Sequence, residues 1–244
     1  MPVQTNPSHK AHPLGMLRDQ SVAPVLFSRI DLISLLEHTS HVSVMHRTFC
    51  SLKKISELQS LNLSKLSDVP ESEAVLVSGN FGGNGPYVSF VWARAKSSQY
   101  RKALNARLLT SKITALPMAS NLHADHIVNR ASLRDLYEQH DPWVMLFEVP
   151  DSANSGFGSL VERVLPRYPD NTSQVLVEPL HLFKLFCTDL PRNKVDLKIV
   201  MKHIQGQVPP SIATEMENAF SVYLEQYLQR REKKMRGKTS TPAK

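Results

Sequence analysis

The chain has 244 residues, of which 41% are hydrophobic and 21% charged, the composition of a soluble globular protein with one sizeable core. No apolar run approaches the roughly 18 residues that span a bilayer, which argues against a membrane protein. The two cysteines lie far apart and form no CxxC pair, which argues against a disulfide framework and structural zinc, and favours a reducing compartment, the cytoplasm.

The net charge of +7, with a pI near 9.4, predicts a surface that attracts polyanions. Between Ala74 and Ala124 the sequence contains no Asp or Glu, so its basic residues are segregated rather than interspersed. We interpret this stretch as a segment that contacts substrate phosphates, although a modest positive excess can also serve solubility alone. The basic residues concerned are Arg94, Lys96, Arg101, Lys102, Arg107 and Lys112.

In chain order, residues 1–20 and 237–244 are polar and are predicted to form disordered tails. Residues 21–72 are predicted to form a helical N-terminal segment. Their apolar residues recur at helical spacing over 24–37 and again over 51–61.

A basic β-hairpin and arm is predicted over residues 73–116. Two β-rich runs, 74–77 and 87–92, flank a loop that holds four of the nine glycines. This loop lacks the Gly-Lys-Ser/Thr ending of a phosphate-binding P-loop, so a hairpin connection is favoured over a phosphate cradle. Residues 99–109 are predicted to form a basic helix or extended arm.

The stretch 117–168 has the predicted order strand, loop, strand, helix. The two strands are expected at 122–128 and 143–149. The helix is expected at 154–165, with Asn154 as a residue able to cap its start and Pro166 closing it.

A helical C-terminal region is predicted over residues 176–236. Helices at 179–190 and 193–204 are separated by Pro191, and a long amphipathic helix follows. Its apolar stripe is expected to pack on the body of the protein, with a second copy as the alternative. A homo-oligomer or a regulatory protein partner therefore stays open.

The residues best suited to chemistry stand at the ends of the two strands of 117–168. Asp125 and His126 end the first strand, and Asn154 follows the second. Carboxylate and amide oxygens suit Mg²⁺ or Mn²⁺. A histidine with an unperturbed pKa near 6.5 is mostly neutral at physiological pH and can take a proton from water. This combination suits metal-assisted hydrolysis of a phosphodiester.

Four further residues are candidates near this site. His123 shares a strand face with Asp125, and Glu162 lies two turns into the predicted helix, so each is a candidate accessory metal ligand. The alternatives are a partly exposed histidine and an ordinary salt bridge. Arg130 and Arg163 are candidates for bidentate contact with a substrate phosphate, or for plain surface charge.

These residues resemble the HNH endonuclease family and the wider His-Me finger (ββα-metal) nucleases, most of all the HNH domain of RNA-guided CRISPR nucleases. The resemblance covers roughly residues 121–165 and includes the sequence Asp-His-Ile-Val at 125–128 and Ser-Ala-Asn-Ser-Gly at 152–156. It implies an α+β fold with a ββα-metal core, to which the basic hairpin and the flanking helices are added.

By the same resemblance, Asp125 and Asn154 are ligands of one Mg²⁺ (or Mn²⁺), and His126 is the general base. The implied activity is endonucleolytic cleavage of DNA, in bacterial defence against viruses or in a mobile element. The family's middle Asn, which orients the histidine, has no clear counterpart, and Asp141 is the candidate substitute. An RNA-cleaving toxin on the same scaffold and a non-catalytic nucleic-acid-binding or scaffolding protein are the alternatives.

Overall fold

The computed structural model of the protein describes residues 27–110, 122–128, 132–162 and 165–239. The fold is α+β, and its strands form a curled antiparallel sheet surrounded by helices. Six of the seven strands within these residues follow the order β2-β3-β4-β6-β1-β7, and β5 pairs with the remaining part of β6. The predicted tail at 1–20 lies outside the described residues.

The N-terminal segment is only partly helical. Helices α1 (Phe27–Leu36) and α2 (Phe49–Leu58) alternate with strands β1 (Ser43–His46) and β2 (Asn62–Lys65). Thr48 starts α2 with a capping box, which explains why this helix begins two residues before the predicted one. Each of these strands is only four residues long, which is too short for a clear periodicity. Strand β1 pairs with β6 and β7, far along the chain, whereas β2 pairs with β3 nearby.

The predicted hairpin is confirmed. Strands β3 (Ala74–Asn80) and β4 (Tyr87–Arg94) pair along their whole length, and helix α3 (Tyr100–Thr110) follows. The connecting turn needs Gly82 and Gly83, whose φ angles of +61° and +83° are disfavoured for residues with a Cβ.

The strand–strand–helix order that the sequence predicts around the candidate site is present. Strand β5 (Leu122–His126) pairs antiparallel with β6 (Trp143–Pro150), which leads directly into helix α5 (Asp151–Leu160). The short helix α4 (Arg134–Gln139) lies in the connection between the strands. Helix α5 begins three residues earlier than predicted and is not capped by a side chain. The prediction that Asn154 caps this helix is therefore wrong, and Asn154 lies within its first turn.

The C-terminal region holds one strand and three helices: β7 (Gln174–Leu176), α6 (Pro179–Phe186), α7 (Lys194–Gln205) and α8 (Pro210–Thr239). Residues 237–239, expected in the tail, belong to α8, and residues 240–244 lie outside the described part.

The apolar stripe of α8 packs on the body of the protein, as predicted. Met216, Phe220 and Leu224 are buried, and the Phe220 ring stacks on Phe183 of α6 with centroids 4.1 Å apart. Helix α6 is consequently enclosed between the sheet and α8. None of the helices in the described ranges has the length and apolar character needed to cross a membrane.

Candidate active site

Asp125, His126 and Asn154 line one cavity of about 350 Å³, although they come from two separate elements. Strand β5 supplies the first two residues, and the first turn of α5 supplies Asn154. The cavity is also lined by Glu162, just beyond the end of α5, and by Lys184 of α6. The structure therefore brings the three main predicted site residues together, with Glu162 beside them.

The backbone pairing of β5 and β6 explains this convergence. Asp125 stands opposite Phe147 and His126 opposite Leu146, so both lie a few residues before β6 turns into α5. Helix α5 contacts β5 and places Asn154 in the lining of the cavity that Asp125 and His126 also line. Pairing of β5 with β6 and the absence of a loop between β6 and α5 are the two features that build the site.

His126 is buried, and its orientation is set by the backbone. The ring Nδ1 donates a hydrogen bond to the carbonyl oxygen of Val128. Because a carbonyl only accepts, the proton belongs on Nδ1, and Nε2 is the ring nitrogen with the lone pair. The Tyr100 ring meets the imidazole edge-on, with centroids 5.8 Å apart.

Asp141, the candidate substitute for the family's middle Asn, does not orient His126. Its carboxylate contacts the Arg94 guanidinium at 2.5 Å. The Val128 carbonyl supplies the contact that was expected of a side chain. Every residue has a backbone carbonyl, so the sequence does not show which residue orients the histidine in this way.

Asp125 is paired with a buried lysine. The Lys184 Nζ lies 2.7 Å from Asp125 Oδ2 and 2.8 Å from Glu162 Oε1, and its side chain is only 2% exposed. Two carboxylates thus converge on one ammonium group at the wall of the cavity.

The electrostatics keep this group charged. Burial by itself raises the pKa of Asp125, but the Lys184 ammonium and His126 outweigh it, so the pKa lies below its usual range. Burial lowers the pKa of Lys184, yet Asp125 and Glu162 hold it above its usual value. At neutral pH Asp125 is therefore a carboxylate and Lys184 an ammonium ion.

His123 lies beside Asn154 rather than in the cavity lining. Its Nδ1 is 3.4 Å from the Asn154 amide nitrogen, and its Nε2 is 3.1 Å from an Asp151 carboxylate oxygen. In this arrangement the amide nitrogen of Asn154 faces His123, and the amide oxygen is the atom that suits a cation. His123 therefore positions Asn154.

Two of the predicted phosphate-binding residues, Arg94 and Arg107, are held by acidic residues of the protein itself. Arg107 is 3% exposed and contacts Ser28 and the carboxylate of Asp31, so it belongs to the interior and not to a phosphate-facing surface. Arg94 is bound between Glu73 and Asp141. These two assignments to the substrate surface are not supported by the fold.

The other described basic residues of this segment, Lys96, Arg101 and Lys102, are exposed. Lys96 donates to the Tyr137 carbonyl oxygen at 2.5 Å, and Arg101 donates to the Leu122 carbonyl oxygen at the start of β5. Lys102 is exposed on α3. Lys112, Arg130 and Arg163 were also predicted to bind substrate, and all three lie outside the described residues.

Lys184 is the residue that sequence analysis missed. It is the only charged residue of helix α6, whose sequence is Pro-Leu-His-Leu-Phe-Lys-Leu-Phe. A lysine in the middle of an apolar helix requires a buried anion, because an unpaired buried charge is very costly. That signal was present in the sequence, but it does not specify which carboxylates pair with the lysine.

The donor atoms at the site fit a hard divalent cation. Asp125, Glu162 and Asn154 offer carboxylate and amide oxygens without sulfur, the set that Mg²⁺ and Mn²⁺ prefer. Within the described residues, no cluster of three or more His, Cys, Asp or Glu side chains is arranged to hold a metal ion. The arrangement differs from an open metal site because Lys184 already neutralises the two carboxylates.

Comparison of the chain with protein-family models, with curated proteins and with solved structures gives no match. The likeness of residues 121–165 to the HNH nucleases therefore stays a prediction from the residues themselves.

Proposed function

We propose that the protein is a metal-dependent endonuclease that hydrolyses phosphodiester bonds in DNA. The observation that carries the proposal is the meeting of Asp125, His126 and Asn154 at one cavity on a strand–strand–helix unit. The family resemblance favours DNA, and the net charge of +7 favours a polyanionic substrate.

His126 is the general base in this proposal. The contact of Nδ1 with the Val128 carbonyl fixes the ring and leaves the lone pair on Nε2. Nε2 takes the proton from a water molecule as that water attacks the phosphorus. The Tyr100 ring and the strand pairing hold the imidazole in place, so that little reorientation is needed when substrate binds.

The oxygens of Asp125 and Asn154 would hold one Mg²⁺ or Mn²⁺ ion, and Glu162 is a third oxygen donor at the same cavity. The bound ion supplies stabilisation of the charge that develops on the phosphate and on its leaving oxygen. His123 holds the Asn154 amide so that its oxygen is available. Of the predicted phosphate-binding residues, Lys96, Arg101 and Lys102 are exposed and can contact the nucleic-acid backbone.

A plasmid-nicking assay tests the activity. We expect nicking with Mg²⁺ or Mn²⁺, none with EDTA, and none with His126→Ala, which should still fold and bind Mn²⁺. Parallel reactions with duplex DNA, single-stranded DNA and RNA separate a DNase from an RNase. Full metal-dependent cleavage by His126→Ala would refute the role of His126.

One observation favours a second candidate, a non-catalytic nucleic-acid-binding protein. Lys184 satisfies the charge of Asp125 without any metal, as a purely structural ion pair would. Mn²⁺ binding separates the two functions. If the site is catalytic, the wild type should bind Mn²⁺, and Asp125→Asn and Asn154→Ala should abolish that binding. If the ion pair is purely structural, the wild type itself should show no specific Mn²⁺ binding.

A further inference from the structure

Lys184 occupies an unusual position for a lysine. Its helix is buried on all sides, and its Nζ lies 5.9 Å from the centre of the Phe157 ring. The ammonium group contacts one oxygen of Asp125 and one of Glu162, at 2.7 and 2.8 Å. It is therefore the cation around which the two carboxylates are gathered.

Stability alone is a weak reason for such an arrangement. Buried ion pairs lose much of their attraction to the cost of removing charges from water, and apolar replacements of similar volume are often at least as stable. This ion triad also lies on the wall of the cavity shared by His126 and Asn154, and not in a remote part of the core. Its location points to a role in the site.

We propose that the Lys184 ammonium occupies the position of a divalent cation between Asp125 and Glu162, and that it competes with the metal ion for these two carboxylates. This inference rests on the proposed function, since it concerns the same site. It adds Glu162 as a full ligand and makes Lys184 the residue that sets metal affinity.

Charge and distance support the competition. The two oxygens that contact Lys184 are also the oxygens that face a cation held between these side chains. The distance from Mg²⁺ to a carboxylate oxygen that it binds is about 2.0–2.1 Å. An ammonium at its present distance from both oxygens would then lie within a few ångströms of the metal, where like charges repel strongly. The flexible four-carbon stem lets the ammonium move away, into a cavity of about 350 Å³.

Titration of the whole protein with Mn²⁺ alone tests this proposal, with bound ion followed by electron paramagnetic resonance. We expect Lys184→Met and Lys184→Gln to bind Mn²⁺ at least about tenfold more tightly than the wild type, a difference of roughly 1.4 kcal/mol. Lys184→Arg keeps the charge and should bind no more tightly than the wild type. Lys194→Met is the matched control, because it removes one positive charge from an exposed salt bridge with Glu225.

Thermal unfolding with and without Mn²⁺ covers the case in which a neutral variant folds poorly. A cation at this position replaces the lost charge, so Mn²⁺ should raise the melting temperature of Lys184→Met more than that of the wild type. A variant that stays unfolded even with Mn²⁺ would overturn the proposal. Unchanged or weaker Mn²⁺ affinity in both neutral variants would do the same.

The outcomes also separate this inference from the proposed function. Tighter Mn²⁺ binding by Lys184→Met in a protein that cleaves no nucleic acid would support the competition and refute the nuclease. Metal-dependent cleavage with unchanged affinity in both neutral variants would refute the competition and keep the nuclease. If no variant binds Mn²⁺, both fail.

Discussion

Lys184 on α6 and Asp125 on β5 form a 2.7 Å ion pair across 59 positions of the chain. The pair joins the C-terminal helices to the strand that carries the candidate catalytic histidine. Since Glu162 contacts the same ammonium, the three charges form one coupled unit, and their contributions to stability should not be additive.

The first prediction concerns the asymmetry of this unit. Lys184→Met leaves two partly buried carboxylates facing each other, whereas Asp125→Asn leaves the Lys184–Glu162 pair intact. Breaking a buried pair by removing one partner costs about 3–5 kcal/mol, so in metal-free buffer Lys184→Met should approach this loss and Asp125→Asn should lose less. Urea unfolding at neutral pH measures both. Equal losses would show that the carboxylates do not act on each other.

The second prediction separates exposed from buried basic residues. Lys102 is exposed on α3, while Arg107 of the same helix is buried against Asp31. Lys102→Gln should lower the salt dependence of DNA binding by about one unit of slope if it contacts a phosphate. Arg107→Gln should leave the slope unchanged and lower the melting temperature. Fluorescence anisotropy over a range of salt concentrations provides the slopes, and a reversed pattern would contradict the assignment.

The third prediction tests the support of His126 by Tyr100. The ring lies edge-on to the imidazole, and the Tyr100 hydroxyl donates to the Ala95 carbonyl at 2.7 Å. Tyr100→Leu should lower kcat roughly tenfold to a hundredfold with little change in KM, because a misplaced base reacts poorly. Tyr100→Phe keeps the ring and should lose only about 0.5–1.5 kcal/mol of stability. Equal kinetic effects of both variants would exclude positioning by the ring.

The fourth prediction concerns acid stability. Burial lowers the pKa of His46 to about 4, and burial together with the Lys184 charge lowers the pKa of His181 to about 4. Both histidines are neutral in the folded protein and take up protons on unfolding as the pH falls below about 6.5. The two histidines therefore do not reduce the free energy of unfolding above about pH 6.5, and they reduce it progressively as the pH falls from about 6.5 towards 4.

Each of the two histidines should contribute up to about 1.4 kcal/mol of stability change per pH unit within that window. His46 packs against the Trp92 ring, so His46→Phe is a suitable replacement that keeps an aromatic side chain. Urea unfolding at pH 5 and pH 6 measures the slope. The variant should show a reduced slope, and an unchanged slope would place the proton uptake elsewhere.

The fifth prediction concerns a buried carboxyl group on β6. Glu148 is 2% exposed, and burial raises its pKa despite the opposing charges of Arg107 and Arg29. An acid with a raised pKa in the folded state destabilises the protein above its unfolded pKa, so this cost is present at neutral pH and disappears on acidification. Glu148→Gln should therefore raise the melting temperature at pH 7, by about 2–4 °C for each kcal/mol gained. A lower melting temperature would mean that the arginines outweigh burial.

The sequence predicted the parts of the fold that depend on local patterns. The hairpin of β3 and β4 follows from two β-rich runs around a glycine-rich turn, and the order β5, β6, α5 follows from period and breaker residues. It also singled out Asp125, His126 and Asn154, which meet at one cavity. The turn and the helix could be predicted because their hydrogen bonds join residues that are close in sequence.

Only the tertiary structure decided how the charges are used. Arg107 and Lys102 look alike in the sequence, yet the packing of α3 buries one and exposes the other. The partners of Lys184 come from β5 and from the end of α5, and no spacing rule connects them to α6. Composition and periodicity predict the longer, strongly patterned helices and strands, because these depend mainly on near neighbours. The pairing of buried charges depends on which distant surfaces come together, and that is decided when the whole core packs.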